Sequence, residues 1–71
     1  MEDKNFKFQS VKFDAENSTW RGRIEFDRVY ENGNVQRTVL DISGVSAPEG
    51  ASETNVRAML KQKAQMEAGR I

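Results

Sequence analysis

The side chains that carry most enzymatic chemistry are missing from this sequence, since none of its 71 residues is histidine or cysteine. That removes the commonest general base, the strongest side-chain nucleophile and the two residue types from which most zinc sites are built. Among the groups left that can move a proton, the carboxylates are the ones that stand in pairs. Glu25 and Asp27 stand two residues apart, as do Asp14 and Glu16, and such a pair works as general acid and base only where a closed cleft holds it. Here one pair reads as lying on a strand face and the other in a turn, so both are expected to be solvated surface acids. Gly44 and Gly50 stand apart with no Gly-Lys-Ser or Gly-Lys-Thr beside them, so no phosphate-cradling loop is present. The expectation is a protein that is not an enzyme, with no catalytic residue, cofactor or metal.

Recognition then falls to arginine, lysine and exposed valine. Eleven Lys and Arg balance eleven Asp and Glu, whereas a dedicated nucleic-acid binder usually carries a clear basic excess. No apolar run approaches the ~20 residues of a membrane span, and Met1-Glu2-Asp3-Lys4-Asn5 is too polar to open a signal peptide. A single small soluble, cytoplasmic domain is expected. At this length it has a thin core and no disulfide to reinforce it, a weakness that a partner chain would relieve.

The positions of the charges follow from the elements. Phe6 and Phe8 share one parity and Val11 and Phe13 the other, so a bulge near Gln9-Ser10 would return all four to one face of a strand over about residues 5–13. Asp14-Ala15-Glu16-Asn17-Ser18 has the composition of a turn. Over about 19–30, Trp20, Gly22, Ile24, Phe26 and Tyr30 alternate with Arg21, Arg23, Glu25 and Asp27, the clearest strand in the chain. Glu31-Asn32-Gly33-Asn34 is a hairpin turn. A two-residue Asn-Gly loop would set Arg28 opposite Arg37 and Ile24 opposite Asp41. A three-residue loop, Glu31-Asn32-Gly33, sets Asp27 opposite Arg37, Arg23 opposite Asp41, Val29 opposite Val35 and Ile24 opposite Leu40. The second register pairs opposite charges and apolar groups, and it puts Gly33 where a left-handed residue is needed.

The third strand is expected over about 34–42, a connection over 43–52, and a helix over about 53–68, with Ser52 as N-cap. On that helix Val56, Met59 and Leu60 form an apolar patch, but Lys63 and Glu67 follow on the same stripe with Met66 at its edge. The first two turns should therefore dock, Lys63 should lay its stem over the core edge, and the last turns should fray or pack on another chain. The expected core is Phe6, Phe8, Phe13, Trp20, Ile24, Phe26, Leu40, Ile42, Val56, Met59 and Leu60. The fold class is α+β: a three-stranded antiparallel β-meander packed against one C-terminal amphipathic helix, β-β-β-α.

Two surfaces emerge on the outer sheet face. Lys7, Lys12, Arg21, Arg23 and Arg37 project there against Glu25, Asp27 and Asp41, with the excess at the Trp20 end; a three-stranded sheet can enter the DNA major groove and read bases through arginine. Trp20-Arg21-Gly22-Arg23-Ile24, an Asn-Gly hairpin, a third strand and then a helix resemble the layout of plant AP2/ERF domains and of the arm-type DNA-binding domains of phage integrases. That resemblance implies a sheet face presenting Lys12, Arg21, Arg23 and Arg37 to nucleic acid. It covers about a third of the chain and departs from those families' Gly-x-Phe-x-Thr step, where Asp41-Ile42-Ser43-Gly44 stands instead. The second surface is an apolar centre of Val29, Val35 and Val39 rimmed by Arg37, Asp27 and Glu25, a pattern found at protein interfaces. The leading expectation is a protein-interaction or accessory module of bacterial or phage type, self-associating as a homodimer or binding another protein. DNA binding through the sheet face is the alternative.

Overall fold

Alternating apolar and polar residues build three strands, β1 (Glu2–Asp14), β2 (Thr19–Val29) and β3 (Val35–Ser46), followed by one helix, α1 (Glu53–Ala68). The computed structural model describes residues 1–69. The strands are antiparallel in the order β1-β2-β3, so the β-β-β-α architecture read from the sequence is the one formed. The molecule extends 43 Å along its long axis, and β1, with thirteen residues, is its longest strand.

The β2–β3 hairpin adopts the charge-complementary register, with Asp27 opposite Arg37, Arg23 opposite Asp41, Val29 opposite Val35 and Ile24 opposite Leu40. Tyr30 N–H donates to the Asn34 carbonyl and Gly33 N–H to the Tyr30 carbonyl, both at 2.9 Å. Gly33 takes the left-handed position at φ 87°.

Three bulges interrupt the ladders. The β1–β2 register slips once between Gln9 and Lys12 and once between Lys4 and Lys7, where Ser10 (φ 55°) and Asn5 (φ 60°) are left-handed. The slip at Ser10 returns Phe6, Phe8, Val11 and Phe13 to one face, as their parity requires. The slip at Asn5 is additional and turns Asp3 inward. The third lies between Trp20 and Gly22, where Ser43 and Gly44 (φ 73°) together face Arg21. It corrects the expected connection over 43–52: β3 passes through the bulge to Ser46, and Val45 rejoins Ile42 on the inner face. A left-handed conformation costs a non-glycine residue about 1–2 kcal/mol, so Ser10→Gly is expected to stabilise the protein by about 0.5–1 kcal/mol in urea denaturation.

The core is Ile24 and Phe26 of β2, Ile42 and Val45 of β3, and Val56, Leu60 and Ala64 of α1, with Phe6, Phe8, Val11, Trp20 and Leu40 half-buried around it. Phe6 stacks on Phe26 with ring centroids 5.0 Å apart. Met59, expected inside, is 39% exposed. The buried stripe instead runs Val56, Leu60, Ala64 and, partly, Ala68, spaced four apart along the same face. The alanines carry too little hydropathy to announce a face, yet their small size lets the helix sit close, so the last two turns are seated rather than frayed. Lys63 does lie over the core edge, its Nζ donating to the Ser43 carbonyl at 2.6 Å. The helix starts where Ser52 Oγ accepts from Asn55 N–H at 3.2 Å. Trp20 holds the β3–α1 connection through its indole N–H, which donates to the Pro48 carbonyl at 3.1 Å.

Beneath the second half of α1 lies an ion pair. Arg28 shares the inner face with Ile24 and Phe26 and is 6% exposed. Its Nε and Nη2 donate to the two carboxylate oxygens of Asp3 at 2.7 and 2.9 Å, and Gln65 Nε2 of the helix donates to Asp3 Oδ2 at 3.0 Å. The Arg28 hydrogen bond holds the Asp3 carboxyl below the usual carboxylate range, reinforced by Gln65 and opposed by desolvation.

Candidate functional site

With the helix covering one face, the opposite face of the sheet is left to solvent. On it the cross-strand partners are Lys4 with Asp27, Lys7 with Glu25, Lys12 with Arg21, Arg23 with Asp41, and Asp27 with Arg37. Opposite charges facing each other stabilise a sheet and like charges destabilise it. By that rule every one of these pairs is complementary except Lys12 with Arg21.

The pairs divide the face into two regions. Near the hairpin, Arg37 Nε donates to Asp27 Oδ1 at 2.6 Å and its Nη1 to Glu25 Oε1 at 2.8 Å. From the β1 bulge, Asn5 Nδ2 donates to Asp27 Oδ2 at 3.0 Å. The network crosses all three strands around a hollow of about 320 Å³. Asp27 is held below its ordinary range by Asn5 and then Arg37, and Arg37 is raised by Asp27 and then Glu25.

Toward the Trp20 end, Ser10, Lys12, Arg21, Arg23, Asp41 and Ser43, with Gly22 and Ile42, line a second cleft of about 390 Å³. Arg23 Nε donates to Asp41 Oδ1 at 2.9 Å, lowering the Asp41 carboxyl and raising the guanidinium. Lys12 and Arg21 make no ion pair or side-chain hydrogen bond among the described residues. The bulges at Ser10 on one flank and at Ser43-Gly44 on the other both open here.

Of the candidate nucleic-acid contacts, then, Lys12, Arg21 and Arg23 share one cleft, while Arg37 belongs to the separate acidic network. The candidate valine interface is also divided. Val29 and Val35 face each other, but Val39 lies opposite Glu25, and Arg37 stands between Val35 and Val39. Val35 and Val39 are 62% and 50% exposed on an edge strand. The clefted serines escaped the sequence reading. Their signal was available for Ser43, because Ile42 and Val45 differ in parity just as Phe8 and Val11 do.

No family model, curated protein or solved structure matches the chain. Among the described residues no helix is long and apolar enough to cross a membrane, and no group of three or more His, Cys, Asp or Glu is placed to hold a metal ion.

Proposed function

We propose that the protein is a non-enzymatic interaction module whose working surface is the free edge of β3, and that its partner is a second copy of the chain. The observation that carries this is the contrast between the two sheet edges. An unpaired strand edge is a template for another strand unless bulges or charges, lysine above all, blunt it. β1 carries two bulges together with Lys4, Lys7 and Lys12. β3 pairs without irregularity from Val35 to Ile42. Tyr30 and Asn34 are hydrogen-bonded to each other, and such pairs alternate along an antiparallel ladder. Val35, Arg37, Val39 and Asp41 therefore turn their N–H and C=O groups to the open edge.

Charge selects the register of a β3–β3 pairing. With Thr38 on the two-fold axis, Arg37 faces the partner's Val39 and Val35 faces the partner's Asp41. With Arg37 on the axis, guanidinium faces guanidinium. With Val39 on the axis, valine meets valine and Arg37 of each chain faces Asp41 of the other, on both sides of it. The last arrangement is complementary throughout. Arg37 Nη2 and Asp41 Oδ2 are outside the intrachain bonds described above and meet across the interface.

Sedimentation equilibrium should show mass rising with concentration from the 8.1 kDa of one chain toward twice that. Val39→Lys, which sets two ammonium groups on the axis and faces Glu25 within its own chain, should keep the protein monomeric without unfolding it. Because the sequence has no cysteine, Val39→Cys should oxidise to a single covalent dimer, whereas Val35→Cys should not. A wild-type monomer at high micromolar concentration, or equal cross-linking at both positions, refutes the proposal.

A further inference from the structure

Among the described residues, the cleft at the Trp20 end contains the one repulsive cross-strand pairing on the outer face. Lys12 and Arg21 are direct cross-strand partners, an arrangement that costs stability, and no carboxylate lies within salt-bridge distance of either among the described residues. Elsewhere on this face facing charges are matched. Arg21 acts on the Asp14 carboxyl through space without an ion pair between them, and a negative group seated between Lys12 and Arg21 would supply the direct contact that is missing.

The backbone around the pair points the same way. Both neighbouring strands bulge here, β1 at Ser10-Val11 opposite Gly22 and β3 at Ser43-Gly44 opposite Arg21, and bulges re-aim side chains and release backbone groups from the ladder. Ser10 occupies a left-handed position, φ 55°, where glycine costs least. A serine there spends stability where glycine would not, and Ser10 of β1 and Ser43 of β3 both line the cleft. Two cations, one of them a guanidinium suited to bidentate contact, together with two hydroxyl donors match the oxygens of a phosphate group.

We infer that the cleft of Ser10, Lys12, Arg21 and Ser43 binds a single phosphate group, as carried by a small phosphomonoester. A polyanionic duplex is disfavoured because Asp41, Asp27 and Glu25 continue along the same face. Arg23, already held by Asp41, lines the wall and takes no leading part.

The test is a titration of the isotope-labelled protein with inorganic phosphate at constant ionic strength, read by amide and arginine Nε resonances, with chloride as control and a duplex oligonucleotide as a second arm. Saturable shifts confined to Ser10, Lys12, Arg21, Ser43 and Gly44 are expected. Arg21→Gln and Lys12→Gln should each weaken binding at least about tenfold, as expected when a charged hydrogen bond is lost, whereas Lys7→Gln, which faces Glu25 outside the cleft, should leave it unchanged. Without ligand, Arg21→Gln should raise Tm by about 1–4 °C at low salt, because it removes a like-charge contact. Ser10→Gly should raise stability and lower affinity together. Shifts that grow linearly, or equally with chloride, overturn the inference, as does a fall in Tm on Arg21→Gln. Salt-dependent binding of the duplex without binding of phosphate replaces it with a nucleic-acid surface. Since Val39→Lys leaves this cleft intact, failure of the dimer and failure of the phosphate site are separable.

Discussion

Asp3→Ala is expected to cost about 3–4 kcal/mol, the scale on which removing one member of a buried ion pair strands the other. Arg28 would be left buried against Phe26, whose ring centroid lies 5.6 Å from its guanidinium carbon, with the Gln65 carbonyl 3.5 Å from Nη2 as its remaining hydrogen-bond acceptor. For 71 residues, stabilities of roughly 4–10 kcal/mol are usual, so this single change should remove about a third or more of the total. The damage should begin in the second half of α1, since Gln65 would also lose its partner. Hydrogen exchange should show residues 61–68 losing protection before β2 does. Two controls separate pairing from packing. Asp3→Leu with Arg28→Met replaces the pair by apolar groups and should recover most of the loss, because such replacements are often neutral or better. Asp3→Asn keeps the shape, removes the charge and should fall between.

The same pair gives the pH dependence its sign. The Asp3 carboxyl is held below its ordinary value in the folded protein, so its contribution is fully present above the unfolded-state pKa, near 4. It is lost as pH falls through the lower folded-state value. Asp27 and Asp41 are shifted the same way by Asn5, Arg37 and Arg23, but they are solvated and weigh less. Wild-type Tm should therefore drop steeply below about pH 4, and Asp3→Asn should flatten that drop.

How legible each feature was in the sequence depended on whether it left an apolar or charge pattern. The hairpin register did, because only one loop length pairs Asp27 with Arg37 and Arg23 with Asp41. The Ser10 bulge did, because phenylalanine and valine change parity across it. The Asn5 bulge did not: Asp3 is the residue it turns inward, and an inward aspartate looks like any polar residue near a chain end. Arg28 was in phase with Ile24 and Phe26, but phase alone does not announce a buried arginine without its partner. Gly44 and Pro48 gave residues 43–52 the composition of a loop, and hid the continuation of β3 to Ser46. The helix misled through its methionines. Met59 is larger and more apolar than Ala64, yet α1 lies close enough to the sheet for the alanine to fill the contact. For the outer face, residue types and pairings were readable. The coincidence of two bulges beside one unmatched pair was not, since it depends on three strands at once.

That coincidence centres on Gly22, and replacing it should produce the second large effect. A Cβ on Gly22 would lie 3.0 Å from Val11 Cγ2, 3.4 Å from the Val11 Cα and 3.4 Å from Leu60 Cδ1. Glycine ordinarily weakens a central strand, so its presence in β2 reflects how closely β1 and α1 approach. Gly22→Ala demands a shift of a few tenths of an ångström, which Val11 can give because it follows the Ser10 bulge on an edge strand. Its cost should be small, and Val11→Ala should cancel it, a coupling of the same small size that a double-mutant cycle would read. Gly22→Val adds two methyl groups against the fully buried Leu60, where overpacking costs about 1–3 kcal/mol. The relief available is to lift α1 or to push β1 outward at Ser10. The first route loosens Leu60 and should quicken amide exchange along the helix. The second spreads the cleft between Lys12 and Arg21, and should weaken phosphate binding while the helix stays protected. Measuring both on Gly22→Val therefore decides whether the glycine serves the core alone or also sets the width of the site.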